Sequence, residues 1–451
     1  MSLSNDELSA LSRLQFPDLG SLISGGCYTD GHPCGVQVFE FYWVHIFGDG
    51  VFALRFTFAL AGVVSVYLVY QIGRENLGEY PGLLAASLMS GLQVAVFYSQ
   101  LARPYSFGLL FFLAFLIYWF RILIRKNFSL YNSIGFAGFA TACAYTHYIA
   151  AFDAVLFALA GLLIVRKEHF IRYLGVCLFP VLLFLPHVGI TLNHFSYRGL
   201  GWLEPPTIGF FKGHLKYLFN NSWMLLLLLA SLMFAYAIFI RKTESERPMR
   251  FYRIIFLIGF GLPIGLLFLY SIYLKPILQN ALLYFTFPLL LLFMSSFLVG
   301  RSLRIQLGAT ILLLLLLLDV HLVKSAKYYS RPQFGLFKEL ADFTVRYCHK
   351  FGDENIEKTI NINNPFYINY YLGKMGHNQI VFAQYRNDGT VAELEAFKKI
   401  VEQSAKPYFL FAWSGKGNPP ELVALVMQKY PVLIEKEKTD WSEIMIFSRG
   451  K

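Results

Sequence analysis

The sequence contains about ten apolar stretches, each long enough to form a helix that crosses a membrane, since a spanning helix needs about 20 mostly apolar residues. These stretches predict a polytopic α-helical membrane protein. Only 15% of the 451 residues are charged, against about 25% in soluble domains, which excludes an ordinary soluble enzyme. The predicted spans lie near 51–72, 81–99, 104–124, 131–148, 149–165, 171–191, 222–240, 254–273, 279–299 and 306–323.

Charged residues become more frequent after the last apolar stretch. Residues 324–451 hold 32 of the 67 Lys, Arg, Asp and Glu residues. Runs rich in β-branched and aromatic residues there alternate with helix-like stretches, which predicts a small parallel or mixed sheet. We therefore expect three regions: a first outer loop with amphipathic helices at 1–50, a transmembrane body at 51–324 with an outer loop at 193–221, and a soluble α/β domain at 325–451.

The distribution of basic residues predicts the orientation in the membrane. Of the 21 Lys and Arg residues before residue 324, 14 lie in one set of alternate loops and seven in the other. Cytoplasmic loops carry the excess of basic residues. The first 50 residues, the Arg103 loop, the 193–221 loop and the C-terminal domain therefore lie outside the cytoplasm. The net charge of +11 does not indicate nucleic-acid binding, because the basic residues punctuate apolar runs instead of covering one soluble face.

The N-terminal segment fits this orientation poorly. Residues 1–20 contain neither an apolar core nor a cleavage site of the kind found in signal peptides, although an outer segment has to be translocated. We therefore expect a further helix before Ser2, missing because the start codon is placed too far downstream.

The five cysteines are odd in number and have no zinc-ligand spacing. Only Cys27 and Cys34 are candidates for a disulfide, and the spacing leaves that pairing open.

Two groups of polar residues in the first 50 residues are candidates for chemistry. Asp6 and Glu7 are adjacent carboxylates; the alternative is a helix start capped by Asn5 or Asp6. Asp30 and His32 place a carboxylate and an imidazole in one turn, and the alternative is a plain turn before a helix that begins at Pro33.

Arg103 lies in a short polar segment between two long apolar runs. Arginine suits bidentate binding of phosphate, and a phosphate at that depth would belong to a lipid. The alternative is an interfacial arginine that reaches lipid headgroups, with Tyr98 and Tyr105 in an aromatic belt.

The order of these motifs resembles that of the GT-C superfamily of membrane glycosyltransferases. More narrowly, it resembles the bacterial branch of protein O-mannosyltransferases and lipid A aminoarabinose transferases, similar to glycosyltransferase family 39. The resemblance covers about 2–325. It rests on Asp6-Glu7, Asp30-x-His32-Pro33, the segment from Tyr42 to Phe56, Tyr98-Ser99-Gln100-x-Ala102-Arg103-Pro104-Tyr105-Ser106 and Tyr145-Thr146-His147-Tyr148, with weaker matches at 201–206 and 275–279.

The resemblance implies an inverting transfer of a sugar from a polyprenyl-phosphate donor to a hydroxyl of a protein, lipid or glycan. The reaction would take place on the outer face of the bacterial cytoplasmic (inner) membrane, with the C-terminal domain also facing the periplasm. The implied roles are a base for Asp6 with Glu7 beside it, donor-phosphate binding for Arg103, Lys275 and Tyr105, acceptor or divalent-metal positioning for Asp30 and His32, and a lid carrying Trp202 and Glu204.

One departure bears on a metal ion. Leu101 stands where the family often has an acidic residue, which weakens the expectation of a divalent cation. Two alternatives stay open: a transporter or flippase of lipid or sugar, which would need charged or helix-breaking features at mid-membrane, and a non-catalytic relative that acts as a binding module.

Overall fold

A computed structural model gives the fold of the chain. It describes residues 2–196, 203–239, 246–297, 308, 310–312, 314–315, 322–324, 336–362, 364–385, 391–414, 420–438 and 442–450. The chain divides into two compact units, one formed by Met1–Gln15 with Tyr328–Lys451 and the other by Phe16–Lys327. We call them the α/β unit and the helical unit. Residues of the predicted first outer loop, 1–50, fall into both.

Helices dominate the helical unit, and they follow the apolar stretches of the sequence. A π-helical turn at Leu22–Cys27 precedes them. The helices are α2 (Cys34–Phe47), α3 (Val51–Asn76), α4 (Glu79–Gly91), α5 (Gln93–Ser99), α6 (Tyr105–Leu123), α7 (Leu130–Thr146), α8 (Tyr148–Ile164), α9 (Phe170–Phe184), α10 (Val188–Ser196), α11 (Gly209–Leu218), α12 (Trp223–Phe239), α13 (Glu246–Tyr273) and α14 (Phe287–Ser295), after α1 (Asn5–Arg13) of the α/β unit.

Fewer helices reach the length of a membrane span than the ten predicted. In the described residues, four helical segments are long and apolar enough: Val51–Asn76, Tyr105–Leu123, Lys167–Ser196 and Met249–Tyr273. A fifth is added if α4 and α5 count as one bent span. The helices α7, α8 and α12 have 17 residues each, and most of the predicted span at 306–323 lies outside the described residues. Because it contains these long apolar helices, the chain is an integral membrane protein.

Glycines bring α3 and α4 into close contact. A Cβ on Gly73 would overlap the Cα of Gly82, so the two helices cross backbone to backbone. Large side chains fill the space around α6: Phe112, Phe115 and Trp119 are at most 1% exposed. The indole N–H of Trp119 donates to the carbonyl of Phe157 on α8 at 2.7 Å, which satisfies a buried donor.

The predicted span at 81–99 is broken. Leu92 has extended backbone angles (φ −85°, ψ 132°), and α4 and α5 meet at 68°. A short loop at 100–104 then leads into α6, whose cap residue is Pro104. Proline suits this place because it has no N–H to leave unsatisfied at a helix start. The break and the loop fix the position of Arg103.

The α/β unit contains a mixed five-stranded sheet, as the sequence predicts. Its strands are β1 (Ile356–Asn361), β2 (Ala383–Tyr385), β3 (Tyr408–Ser414), β4 (Val432–Lys438) and β5 (Ser442–Ser448), and its helices are α15 (Phe337–Phe351), α16 (Phe366–Lys374), α17 (Val391–Gln403) and α18 (Pro420–Lys429). The strand order is β2-β1-β3-β5-β4. β1 pairs in parallel with β2 and β3, whereas β5 is antiparallel to β3 and β4.

The N-terminal helix α1 belongs to this unit and packs on α16. The N–H of Leu3 donates to the hydroxyl of Tyr371 at 2.7 Å, and the N–H of Lys338 to the hydroxyl of Ser2 at 3.4 Å. Leu3 and Leu8 are fully buried. The first residues of the chain are thus held by residues more than 330 positions later.

Candidate functional site

The turn that carries Asp30 and His32 is closed by a disulfide between Cys27 and Cys34, whose Cα atoms are 5.3 Å apart. Asp30 is 8% exposed. Its Oδ1 accepts a hydrogen bond from the N–H of Gly31 at 2.7 Å and lies 3.3 Å from Nδ1 of His32. The carboxylate and the imidazole are therefore together, as the sequence suggests, and α2 begins directly after the turn at Cys34, one residue later than predicted.

Two histidines that the sequence did not single out hold both ends of this turn. The Nε2 of His187 accepts from the N–H of Cys34 at 3.0 Å. The Nε2–H of His194 donates to the carbonyl of Cys27 at 2.8 Å, and its Nδ1 accepts from the hydroxyl of Tyr148 at 2.8 Å. The two histidines are seven positions apart, which is about two turns of a helix. This spacing on one helix face is the sequence pattern that could have identified them.

Arg103 points inward. The residue is 7% exposed, and its Nη2 lies 3.1 Å from Nδ1 of His32. Burial of the side chain argues against the interfacial alternative, in which the guanidinium reaches out to headgroups. A hydrogen bond from Ser106 Oγ to the carbonyl of Tyr98, 2.8 Å, ties the first turn of α6 to the end of α5 and so fixes the loop between them.

Asp30 and Arg103 both contact the same nitrogen, Nδ1 of His32. Nδ1 of His32 can carry one proton: with the proton it donates to Asp30, and without it accepts from Arg103. An anion bound to the Arg103 guanidinium would compete for that contact and leave the imidazole to the carboxylate.

A group of aromatic rings includes residues on both sides of Arg103 in the sequence. Tyr98 lies 4.7 Å from the ring of Tyr105 and 4.9 Å from that of Tyr284, centroid to centroid. The hydroxyl of Tyr217 donates to that of Tyr98 at 3.2 Å. Burial raises the pKa of Tyr217, so this phenol stays protonated. Tyr105, a predicted phosphate ligand, lies with its ring 5.8 Å from that of His147.

Asp6 and Glu7 lie in the first turn of α1, in the α/β unit. The helix is capped by Ser4, whose Oγ accepts from the N–H of Glu7 at 3.2 Å while Oε2 of Glu7 accepts from the N–H of Ser4 at 2.8 Å. This capping box replaces the predicted cap at Asn5 or Asp6. Glu7 is 2% exposed and serves the cap, whereas the side chain of Asp6 is exposed.

The segment 193–221, which the sequence predicts to lie outside, contains α11. His214 on this helix is buried, and its Nδ1 donates to Oδ1 of Asn280 at 2.9 Å. Burial lowers the pKa of His214 and outweighs the hydrogen bond that its ring donates to Asn280. Glu204 is exposed, and Trp202 lies outside the described residues. The lid assigned to these two residues stays a prediction.

Lys275 follows the end of α13. Its Nζ donates to the carbonyl of Phe195 at 2.7 Å, near the end of α10. Phosphate binding by Lys275 also stays a prediction.

Divalent-metal binding by Asp30 and His32 stays a prediction. No group of three or more His, Cys, Asp or Glu side chains in the described part of the chain could hold an ion. Asp30 and His32 supply two ligands, and a dedicated site needs three or four.

Comparisons with known proteins agree in sequence and in fold. Residues 32–190, about a third of the chain, match the family model of dolichyl-phosphate-mannose-protein mannosyltransferases. This stretch includes His32, Arg103 and His147. A search of curated proteins finds no significant match.

Two solved structures have a similar fold over the whole chain. ArnT from Cupriavidus metallidurans bound to undecaprenyl phosphate is 12% identical, with a TM-score of 0.55 and coverage of 100% of this chain and 94% of that chain. The same protein in the apo state is 11% identical, with a TM-score of 0.56 and coverage of 99% and 94%. In sequence over 32–190 and in fold over its whole length, the chain therefore resembles the GT-C superfamily glycosyltransferases of the ArnT and protein mannosyltransferase branch.

Proposed function

We propose that the protein is an inverting glycosyltransferase that moves a sugar from a polyprenyl-phosphate carrier to a hydroxyl acceptor, on the outer face of the bacterial cytoplasmic membrane. One observation carries the proposal: a buried guanidinium, Arg103, stands with His32 and Asp30 at the start of the apolar helix α6. A lipid phosphate that enters from the bilayer suits such a cation. The excess of basic residues in the alternate loops supports the orientation.

The chemistry needs a base and a stabilised leaving group. The acceptor oxygen attacks the anomeric carbon and forms the new C–O bond, while the bond from that carbon to the phosphate oxygen breaks and the phosphate keeps the electron pair. The acceptor proton passes to a carboxylate, the role we assign to Asp6. The leaving phosphate is already anionic and needs no acid, but a cation must stabilise the negative charge that it gains, the role we assign to Arg103.

Release of polyprenyl phosphate from a panel of polyprenyl-phosphate sugars tests the proposal, with the full chain in membranes. Asp6→Asn should lower turnover about 10²- to 10⁴-fold, the range for a lost general base. Arg103→Ala should lower it about 10²- to 10³-fold. Arg103→Lys should fall between Arg103→Ala and wild type, because lysine keeps the charge without the planar fork.

Matched controls are Asp18→Asn, an exposed carboxylate that caps a short helix, and Arg125→Ala, an exposed guanidinium paired with Glu75. Both should keep near wild-type turnover. Folded wild-type protein that releases no polyprenyl phosphate from any donor contradicts the proposal. Movement of lipid across the bilayer without release, undiminished in Asp6→Asn, favours a transporter instead.

A further inference from the structure

His147 carries a hydrogen-bond donor that nothing in the described chain uses. The residue is 3% exposed and caps α8. Its Nδ1 accepts from the N–H of Ile149 at 3.1 Å. A nitrogen that accepts carries no proton, so the neutral ring has its proton on Nε2. Nε2 has no hydrogen-bond partner in the described residues, and a buried donor without a partner is costly.

The ring that carries the unused N–H packs beside the Arg103 cluster. Nε2 lies on the opposite side of the ring from Nδ1, and therefore away from the backbone of α8. The imidazole packs against the rings of His32 (5.3 Å), Phe285 (4.7 Å) and Tyr105 (5.8 Å), centroid to centroid. His32 is the residue whose Nδ1 contacts Arg103. A ligand that reaches the guanidinium therefore comes close to this donor.

We propose that His147 binds the phosphate of the lipid donor through Nε2–H, beside Arg103. This inference rests on the proposed function. The phosphodiester of the donor offers two free oxygens and the monoester product offers three, so both accept from a guanidinium and from an imidazole together. A neutral donor adds a hydrogen bond without a second positive charge, so the product phosphate still dissociates. The apolar Phe285 on one side keeps the contact away from water.

Two substitutions separate binding from the structural role of the cap. Asparagine at 147 places its amide near the position of Nδ1, which keeps the cap and removes the donor; asparagine is among the best N-cap residues. Glutamine extends to the position of Nε2, which keeps a donor and weakens the cap. A purely structural His147 would make Gln the worse variant, whereas phosphate binding makes Asn the worse variant.

The measurement is the affinity of the purified full chain for undecaprenyl phosphate in nanodiscs, by native mass spectrometry, with thermal unfolding of the ligand-free protein alongside. His147→Asn should weaken binding about 10- to 100-fold, the range for one hydrogen bond to a charged group, at nearly unchanged melting temperature. His147→Gln should recover most of the affinity. KM for the donor should rise in His147→Asn more than kcat falls.

The outcomes distinguish this inference from the proposed function. Wild-type protein that binds no undecaprenyl phosphate overturns both. Wild-type binding that His147→Asn retains within twofold overturns the inference alone. Inorganic phosphate and vesicles of phosphatidylglycerol serve as further probes: if either depends on His147 as strongly as undecaprenyl phosphate does, the site is a general anion site and the assignment to the lipid donor is wrong.

Discussion

Two buried ionisable side chains, one in each unit, have opposite surroundings. In the α/β unit, the side chain of Lys358 is 5% exposed, and its ammonium donates to Oδ1 of Asp353 at 2.7 Å and to the carbonyls of Asp353 and Ile356 at 3.1 and 3.2 Å. In the helical unit, Asp153 on α8 is 1% exposed, and neither carboxyl oxygen has a hydrogen-bond partner in the described residues.

This difference distinguishes buried polar groups that stabilise the fold from buried polar groups that either bind a ligand or destabilise the fold. A buried polar group without a hydrogen bond costs free energy. Lys358 uses its three N–H groups on three oxygens, so it stabilises the sheet. In the described residues, Nε2 of His147 and both carboxyl oxygens of Asp153 lack such partners, and the His147 ring packs against His32 of the cluster that the proposed function uses. Unsatisfied burial in the helical unit therefore marks where to look for function.

The largest stability effect among the remaining predictions belongs to the disulfide that closes the Asp30 turn. Replacement of Cys27 and Cys34 by serine should lower the free energy of unfolding by about 2–3 kcal/mol, because the closed loop is short. Turnover should also fall, since the turn that presents His32 to Arg103 gains freedom. Thermal unfolding in detergent and the polyprenyl phosphate assay measure the two effects.

Cys177→Ser is the control, because Cys177 on α9 is a free, half-buried cysteine. It should leave turnover unchanged. Full turnover in the double serine variant would show that His187 and His194 hold the turn without the disulfide, and would contradict the expected loss.

The second prediction concerns Lys358, the buried ionisable side chain that has hydrogen-bond partners. Lys358→Met should lower the stability of the α/β unit by about 1–2 kcal/mol, slightly less than the usual contribution of a hydrogen bond between charged groups. We expect the lower figure because the Asp353 side chain is 40% exposed, and solvent weakens the ion pair. Burial acts to raise the pKa of Asp353, but hydrogen bonds from Lys358 and Cys348 outweigh it, and the pKa is lowered. A carboxyl group whose pKa is lower in the folded state stabilises the fold at pH values above its pKa in the unfolded state, about 3.9. That stability is lost as the pH falls through the pKa of the folded state.

Wild type should therefore lose stability between pH 5 and pH 3 more steeply than Lys358→Met. Scanning calorimetry of the full chain in detergent at several pH values measures this, with the exposed Lys399→Met as the charge-matched control. Equal slopes in wild type and Lys358→Met would mean that the ion pair does not stabilise the fold.

Patterns local in sequence predicted most of the fold. The apolar run at 104–124 became α6 within a residue at each end, and the alternation after 325 became the mixed sheet. Asp30 and His32 are two positions apart, so their contact follows from a turn. The Ser-x-x-Glu pattern of the capping box of Ser4 and Glu7 is also present in the sequence, although we expected the cap at Asn5 or Asp6.

What the sequence could not give depends on packing between distant segments. His32 and Arg103 are 71 positions apart and meet because α4 and α5 bend at Leu92. An apolar run carries no signal for such a bend, since both halves remain hydrophobic. Helix α16 was not predicted for a related reason: its tyrosines and asparagine fit no clear period. Tyr371 and Ile368 are nevertheless buried, and the Tyr371 hydroxyl accepts from the N–H of Leu3.

The smallest predicted effect concerns Asp153, the buried carboxyl group without a hydrogen-bond partner in the described residues. Asp153→Asn keeps the volume and removes the carboxyl group, so the free energy of unfolding should rise by about 1 kcal/mol, because a buried carboxyl without a partner costs more than an amide. Thermal unfolding in detergent measures the change. The exposed Asp18→Asn, the control, should stay within about 0.5 kcal/mol of wild type. A destabilised Asp153→Asn would mean that this carboxyl does have a stabilising partner. A gain in stability with a loss of turnover would instead place Asp153 among the groups retained for function at the expense of stability.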